Sequence, residues 1–194
     1  GYGTMAMEAG EQLKEYGCER PTHIFVQAGV GSLAGAVVGY FSNLYADNPP
    51  TFVVVEAEAA ACLYKGAAAG DGDIRIVDGD METIMAGLAC GEPNTISWDI
   101  LKNHVKVFIA APDWVAATGM RMLGAPIKGD APVTSGESGA APFGALAAMM
   151  TMDEYKDLRS DIGLDENSKV LLFSTEGDTD PDRYKNIVWK GLDK

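Results

Sequence analysis

The sequence predicts an α/β fold of three layers, in which a mostly parallel sheet lies between two layers of helices. Short apolar segments rich in β-branched residues alternate with longer segments of helical character. The strand candidates are continuously apolar, which is typical of strands that are buried on both faces. No internal repeat, low-complexity tract or linker is visible, so we expect residues 1–194 to form a single α/β unit.

The predicted strands are short runs in which β-branched, aromatic and other apolar residues dominate, a composition that favours extended backbone. HIFVQ at 23–27, FVVV at 52–55 and VLLF at 170–173 are the clearest examples. Two further strands are predicted at 74–77 and 105–110. Because ligands of parallel sheets bind beyond the carboxyl ends of the strands, the loops after these segments are where a site is expected.

The predicted helices fill the intervals between the strands, and residues that favour helix ends bound several of them. Thr4 is a suitable N-cap for the first helix, and Gly17 is suited to end it. Asp113 is placed to cap a helix that runs to Leu123. The predicted helices cover 4–16, 32–46, 58–69, 81–89, 113–123, 138–150 and 153–159.

The composition argues against several classes of protein. The formal net charge is −13 at pH 7 and no basic stripe offsets it, so no nucleic-acid partner is expected. The longest apolar run is well short of the roughly 20 residues of a membrane span, and no signal peptide is visible. Cys18, Cys62 and Cys90 lie far apart, and the histidines are His23 and His104, so no zinc site is predicted. This cysteine usage fits a reducing cytoplasm.

The loop after the first predicted strand has the features of a phosphate-binding turn. It reads QAGVGSLAG, from Gln27 to Gly35. Gly29 and Gly31 permit a tight turn that directs several backbone N–H groups toward one point. Ser32 begins a helix, and the free N–H groups and positive dipole end of a helix favour a phosphate dianion. The loop fits neither GxxxxGK[ST] nor GxGxxG, and a tight turn without a ligand is the alternative.

Four points of comparison along the chain are the stretches QAGVGSLAG, IMAGLACGEPN, SGESGA and FSTEGDTDP. In their order, and near their spacing, they resemble the diaminopropionate ammonia-lyases, a family of fold-type II pyridoxal-phosphate-dependent enzymes. GLACGEPN and STEGDTD are specific to the family. SGESGA and the glycine loop occur more widely in the fold, as in threonine dehydratases and the tryptophan synthase β chain. The opening GYGTMAMEAGEQL is also similar, so the resemblance runs nearly from end to end.

The resemblance implies pyridoxal 5′-phosphate as the cofactor. It also implies that the cofactor phosphate binds to backbone N–H groups of one continuous segment. That segment comprises Gly29, Val30, Gly31, Ser32 and Leu33.

Three other positions are implied to contact the cofactor. Ser174 matches the serine that hydrogen-bonds to the pyridine nitrogen in related enzymes, and a neutral hydroxyl can accompany an unprotonated nitrogen. Glu137, in SGESGA, is expected near the cofactor ring, and Gly87 brings backbone against cofactor or substrate. The alternatives are a turn or capping serine at Ser174 and a solvent-facing loop carboxylate at Glu137.

The chain lacks the lysine that forms the Schiff base in this family. None of its lysines has the expected neighbours, and none precedes the glycine loop on a suitable strand. The family places that lysine upstream of the segments found here. The chain also begins Gly-Tyr-Gly without an initiator Met. We therefore expect a carboxy-terminal part of the catalytic region that is inactive alone.

The implied reaction of the complete protein is elimination of ammonia from 2,3-diaminopropionate, which yields pyruvate. A small amino-acid substrate and a homodimer are implied as partners. A serine or threonine dehydratase of the same fold and a non-catalytic module that binds a phosphate ligand remain as alternatives. The acidic residues Glu176, Asp178, Asp180 and Asp182 lack the spacing of an EF-hand loop, so a solvated loop is predicted there and no metal site.

Overall fold

A computed structural model describes residues 1–193, and its centre is a four-stranded parallel sheet. The strands are β1 (His23–Gln27), β2 (Thr51–Ala57), β3 (Val105–Ala111) and β4 (Val170–Leu172). Their order across the sheet is β3-β2-β1-β4, and every neighbouring pair is parallel. The predicted parallel sheet is therefore confirmed.

Helices cover both faces of the sheet. They are α1 (Tyr2–Glu15), α2 (Ser32–Leu44), α3 (Cys62–Ala69), α4 (Thr95–His104), α5 (Asp113–Gly124), α6 (Glu137–Thr151), α7 (Lys156–Asp161) and α8 (Pro181–Val188). Short 3-10 turns occur at Glu58–Ala60, Ala86–Leu88 and Asp153–Tyr155. Across the described residues, no helix combines the length and apolar character that crossing a membrane requires.

The apolar strands separate two cores, one on each face of the sheet. Phe25 and Val53 pack in a core with α5 and α6. Their neighbours Ile24 and Phe52 pack in a second core with α1, α2 and α4. Because successive strand residues point to opposite faces, both faces must be apolar to be buried, which explains why the strands lack polar alternation.

The first helix ends as predicted but begins earlier. Gly17 has φ +71°, and the N–H groups of Gly17 and Cys18 donate to the carbonyls of Lys14 and Leu13, the arrangement of a Schellman motif. The helix begins at Tyr2, so Thr4 lies inside its first turn and its predicted role as N-cap is wrong.

The predictions of a strand at 74–77 and a helix at 81–89 are wrong. The segment between α3 and α4 is irregular except for the 3-10 turn Ala86–Leu88. The N–H of Val77 donates to the carbonyl of Gly91, at 2.9 Å, so this backbone folds onto its own loop instead of joining the sheet. Ile76 is accordingly 54% exposed.

Asp113 stabilises the same segment instead of capping α5. Its carboxylate accepts a hydrogen bond from the Thr83 hydroxyl and another from the Ile84 N–H at 3.1 Å. Pro112 occupies the N-cap position of α5. The aspartate that the sequence suggested as a cap therefore holds the part of the loop that leads to Gly87.

Two helices were not predicted, and both have side-chain caps. The Asn94 side chain accepts from the Ser97 N–H at 2.9 Å to begin α4. Asp180 accepts from the Arg183 N–H at 3.0 Å to begin α8, with Pro181 at the first helical position. Part of the acidic segment predicted as a solvated loop is therefore helical. Residues 1–193 contain no cluster of His, Cys, Asp or Glu suited to a metal ion.

Candidate functional site

A cavity lies at the carboxyl ends of β1 and β4. β2 and β3 lie on one side of β1, whereas β4 lies on its other side. The loops after β1 and β4 therefore diverge at this point. Such a switch in strand order is the usual position of a ligand crevice in an open parallel sheet. The cavity has a volume of about 350 Å³. Its lining comprises Tyr2, Gln27, Gly29, Val30, Gly31, Ser32, Leu33, Gly87, Leu88, Cys90, Ser138, Thr175 and Glu176.

The glycine loop contributes a row of free backbone donors to this cavity. Among the described residues, none accepts a hydrogen bond from the N–H groups of the segment from Gly29 to Leu33. The last two of these groups belong to the first turn of α2, where the helix dipole is positive. Unpaired N–H groups in a glycine loop that lines a cavity are suited to a phosphate group, so the residues present fit that ligand.

Gly31 gives the loop its shape. It adopts φ +96°, a left-handed conformation that glycine reaches without a steric penalty. A Cβ at this position would lie 3.1 Å from Cδ1 of Leu101 and 3.3 Å from Cδ1 of Leu63. The left-handed backbone therefore favours glycine here, and a Cβ would in addition push the Leu63 and Leu101 side chains by a few tenths of an ångström.

The helix α4 supports the loop from outside the cavity. The N–H of Asn94 donates to the carbonyl of Val30 at 2.8 Å. A Cβ at Gly35 would lie 2.8 Å from the Cβ of Ser97, so α2 and α4 pack at close range through this glycine. These contacts fix the start of α2 relative to the loop.

A stretch of backbone from Gly87 to Cys90 forms the opposite wall. A Cβ at Gly29 would lie 3.4 Å from the carbonyl oxygen of Gly87, and one at Gly87 would lie 3.0 Å from Oγ of Ser138. The wall therefore approaches both the glycine loop and the start of α6 closely. Gly87 lines the cavity where the sequence predicted a backbone contact.

The end of β1 and the loop after β4 both supply polar residues to the cavity. Nε2 of Gln27 donates to the carbonyl of Phe173 at 2.9 Å and to the hydroxyl of Thr175 at 2.8 Å. Glu176 accepts through Oε1 from the N–H of Ser138 at 2.6 Å. Gln27, Thr175 and Glu176 were not predicted as site residues.

Ser174 and Glu137 do not line this cavity. The Ser174 hydroxyl donates to Oγ of Ser135 at 2.9 Å and borders a separate groove beside α1. Oε1 of Glu137 lies 3.3 Å from Nε of Arg183, and burial raises the pKa of this carboxyl. The structure thus brings the glycine loop and Gly87 together but places these two side chains outside.

Among residues 1–193, the cavity lining carries one carboxylate, that of Glu176, and no lysine or arginine. The groups of these residues that favour a bound anion are the backbone N–H groups and the positive end of the α2 helix dipole. The absence of a lysine from the lining also means that these residues contain no group for a Schiff base.

Comparison with known proteins identifies close relatives. The family model described as pyridoxal-phosphate dependent enzyme matches residues 1–173. Diaminopropionate ammonia-lyase of Salmonella typhimurium is 53% identical over 192 residues, covering 98% of this chain and 48% of that protein. The Escherichia coli K12 protein of the same name is 47% identical over 191 residues, covering 98% of this chain and 47% of that protein. The chain thus spans about half the length of these relatives.

Solved structures give the same result. Escherichia coli diaminopropionate ammonia lyase in complex with an aminoacrylate-PLP azomethine reaction intermediate matches with a TM-score of 0.90 and 44% identity, covering 99% of this chain and 48% of that one. The complex of that enzyme with D-serine matches with a TM-score of 0.88 and 42% identity, covering 98% of this chain and 47% of that one. Maize serine racemase matches with a TM-score of 0.73 and 23% identity, covering 98% of this chain and 51% of that one. This last match shows a likeness of fold alone. The resemblance seen in the sequence and the fold-type II architecture are confirmed.

Proposed function

Because the chain belongs to the family of pyridoxal-phosphate-dependent enzymes, we propose that it is the phosphate-binding part of a diaminopropionate ammonia-lyase. One observation carries the proposal: the residues from Gly29 to Leu33, whose N–H groups have no acceptor among the described residues, line a cavity at the carboxyl end of β1. In the complete protein, 2,3-diaminopropionate would be converted to pyruvate and ammonia.

The glycine loop binds the phosphate in this proposal. Its N–H groups act as donors, and the positive end of the α2 dipole favours the dianion. Asn94 holds the loop from behind through the carbonyl of Val30. The backbone wall at Gly87 closes the side of the cavity that faces the loop.

Pyridoxal phosphate, when bound, supplies an electron sink for the α-carbon of an amino acid. The chain contributes a neutral hydroxyl beside that site. The sequence suggested Ser174 for the contact with the ring nitrogen. We assign it instead to the neighbouring Thr175, because Thr175 lines the cavity while the Ser174 hydroxyl donates to Ser135.

The lysine for the Schiff base and for movement of the α-proton belongs to the other half of the protein in this proposal. The relatives are about twice as long as this chain, and the cavity lining formed by residues 1–193 contains no lysine. The chain alone is therefore expected to be inactive. A small amino-acid substrate, a homodimer and a cytoplasmic location complete the proposal, with no nucleic-acid or membrane partner.

Release of pyruvate by the complete reading frame tests the proposal. 2,3-Diaminopropionate, serine and threonine are offered in parallel with added pyridoxal phosphate, and the 194-residue chain serves as control. Turnover of the diamino acid by the complete protein, and none by the chain alone, is expected. Preference for serine or threonine would reassign the protein to the dehydratases. Inactivity on all three substrates would favour a non-catalytic module that binds a phosphate ligand.

A further inference from the structure

Gln27 is a buried amide at the carboxyl end of β1, where the sheet pairing with β4 has ended. The residue is 1% exposed. The last paired residues of the two strands are Phe25 and Leu172, and contacts of the Gln27 side chain extend the connection to the residues after β4. These contacts are the two hydrogen bonds from Nε2, to the carbonyl of Phe173 and to the hydroxyl of Thr175. The amide therefore bridges the two loops that diverge at the cavity.

The orientation of this amide is fixed by its partners. A backbone carbonyl can only accept hydrogen bonds, so the atom of Gln27 that faces Phe173 must be the nitrogen. Oε1 is buried and has no donor among the described residues. A buried oxygen without a donor is unfavourable, and such a group in a native structure calls for an explanation, of which a functional role is one.

The amide nitrogen in turn determines how the Thr175 hydroxyl is used. Nε2 has no lone pair to offer, so Thr175 accepts from Gln27. No described residue accepts the proton of the Thr175 hydroxyl, and the residue lines the cavity. Its remaining proton is therefore available to an acceptor inside the cavity.

We propose that Gln27 is a positioning residue that makes Thr175 a hydrogen-bond donor toward the ring nitrogen of pyridoxal phosphate. This inference rests on the proposed function of the cavity. A ring nitrogen that accepts a hydrogen bond from Thr175 keeps its lone pair and stays unprotonated. Gln27 thus sets the protonation state of the cofactor without touching it.

Two substitutions remove this arrangement in different ways. Gln27→Met deletes the donor while retaining a long, flexible side chain. Gln27→Glu retains the shape, and a carboxyl oxygen beside the Thr175 hydroxyl accepts its proton, which reverses the direction of the hydrogen bond. Gln12→Met is the control, since Gln12 is an exposed residue of α1 outside the cavity.

The measurement is the ¹⁵N chemical shift of pyridoxal phosphate labelled at the ring nitrogen and bound to the complete protein, followed from pH 6 to 9. Wild type and Gln12→Met are expected to keep the shift of an unprotonated nitrogen. Both Gln27 variants are expected to raise the ratio of protonated to unprotonated nitrogen at a given pH by roughly tenfold, one pKa unit. A double variant with Thr175→Val should add little, because both changes act on one hydrogen bond.

The outcomes separate this inference from the function on which it rests. If the wild-type protein fails to bind pyridoxal phosphate, both the proposed function and the role of Gln27 are overturned. Wild-type protein that binds it with a protonated ring nitrogen would overturn the role of Gln27 alone. An unchanged ¹⁵N shift in a Gln27 variant that binds the cofactor would do the same, even with reduced affinity or stability, because it would reduce Gln27 to a structural residue.

Discussion

The carboxylate of Glu176 lies 2.6 Å from the backbone nitrogen of Ser138 and 3.1 Å from that of Gly139. The contact joins the loop after β4 to the first turn of α6. A carboxylate at this position satisfies backbone donors that the helix cannot pair and interacts favourably with the helix dipole. Glu176 therefore caps α6 from a distant part of the chain and holds the two sides of the cavity together.

Removal of this contact is expected to destabilise the protein. Glu176→Ala should lower the free energy of unfolding by about 1–2 kcal/mol, the range found for loss of a helix cap. Asp178→Ala, in the same loop but exposed, is the control and should change it by less than about 0.5 kcal/mol. Urea denaturation of the complete protein measures both. Equal effects of the two substitutions would mean that the Glu176 cap contributes nothing.

Gly31 is expected to be essential for both stability and cofactor binding. In Gly31→Ala, the new Cβ would occupy a left-handed backbone position and contact Leu63 and Leu101. The substitution should lower the free energy of unfolding by about 1–3 kcal/mol and weaken the binding of pyridoxal phosphate by about tenfold or more. Gly70→Ala is the matched control, because Gly70 has φ +70° with open space around it. It should destabilise by about 1 kcal/mol and leave cofactor affinity unchanged. Fluorescence titration with pyridoxal phosphate distinguishes the two, and equal affinities would contradict the assigned phosphate loop.

Asp113 is expected to control the wall of the cavity from outside it. Asp113→Ala leaves the hydroxyl of Thr83 and the N–H of Ile84 without their acceptor, at a cost of about 1–3 kcal/mol. Cofactor affinity should fall as well, because the segment continues to Gly87. Asp130→Ala, in an exposed loop, is the control. Backbone amide hydrogen exchange of residues 83–90 is expected to be faster than in the wild type in Asp113→Ala and unchanged in Asp130→Ala. Unchanged exchange there would contradict this anchoring role.

Glu56 is expected to make stability depend on pH. Burial raises its pKa from 4.5 to about 7, although the N–H groups of Leu63 and Tyr64 donate to it and act in the opposite direction. Because the folded state favours the neutral acid, the stabilisation is full below pH 4.5 and is lost as pH rises through about 7.

The size of this effect follows from the difference between the two pKa values. Relative to Glu56→Gln, the wild-type protein should lose on the order of 3 kcal/mol between pH 4.5 and pH 8. Thermal denaturation of both proteins across this range measures the difference. A constant difference would indicate that Glu56 has an ordinary pKa in the folded protein.

The glycine loop could be predicted from sequence because its signals are local. Gly31 adopts a left-handed backbone conformation that favours glycine. One short segment of the chain contains the loop together with the strand before it and the helix after it. Gln27 and Thr175 gave no comparable signal. They lie 148 positions apart, and their hydrogen bond exists only because β1 and β4 are neighbours in the sheet.

The errors in the segment after α3 have a related cause. Ile74 and Ile76 favour extended backbone locally, as the strand prediction assumed. The hydrogen bond from Val77 to Gly91 and the carboxylate of Asp113 override that preference. A Cβ at Gly91 would lie 1.9 Å from the carbonyl oxygen of Val77, so this loop requires the two backbone segments to lie close together. No local sequence pattern predicts such a contact.

The central claim is that the cavity at the end of β1 holds the phosphate of pyridoxal phosphate. A crystal structure of the complete protein with this cofactor tests it most directly. Phosphate oxygens within about 3 Å of several backbone nitrogens from Gly29 to Leu33 are expected, the distance of an N–H···O hydrogen bond. A phosphate bound elsewhere, with these N–H groups facing only solvent, would contradict the claim.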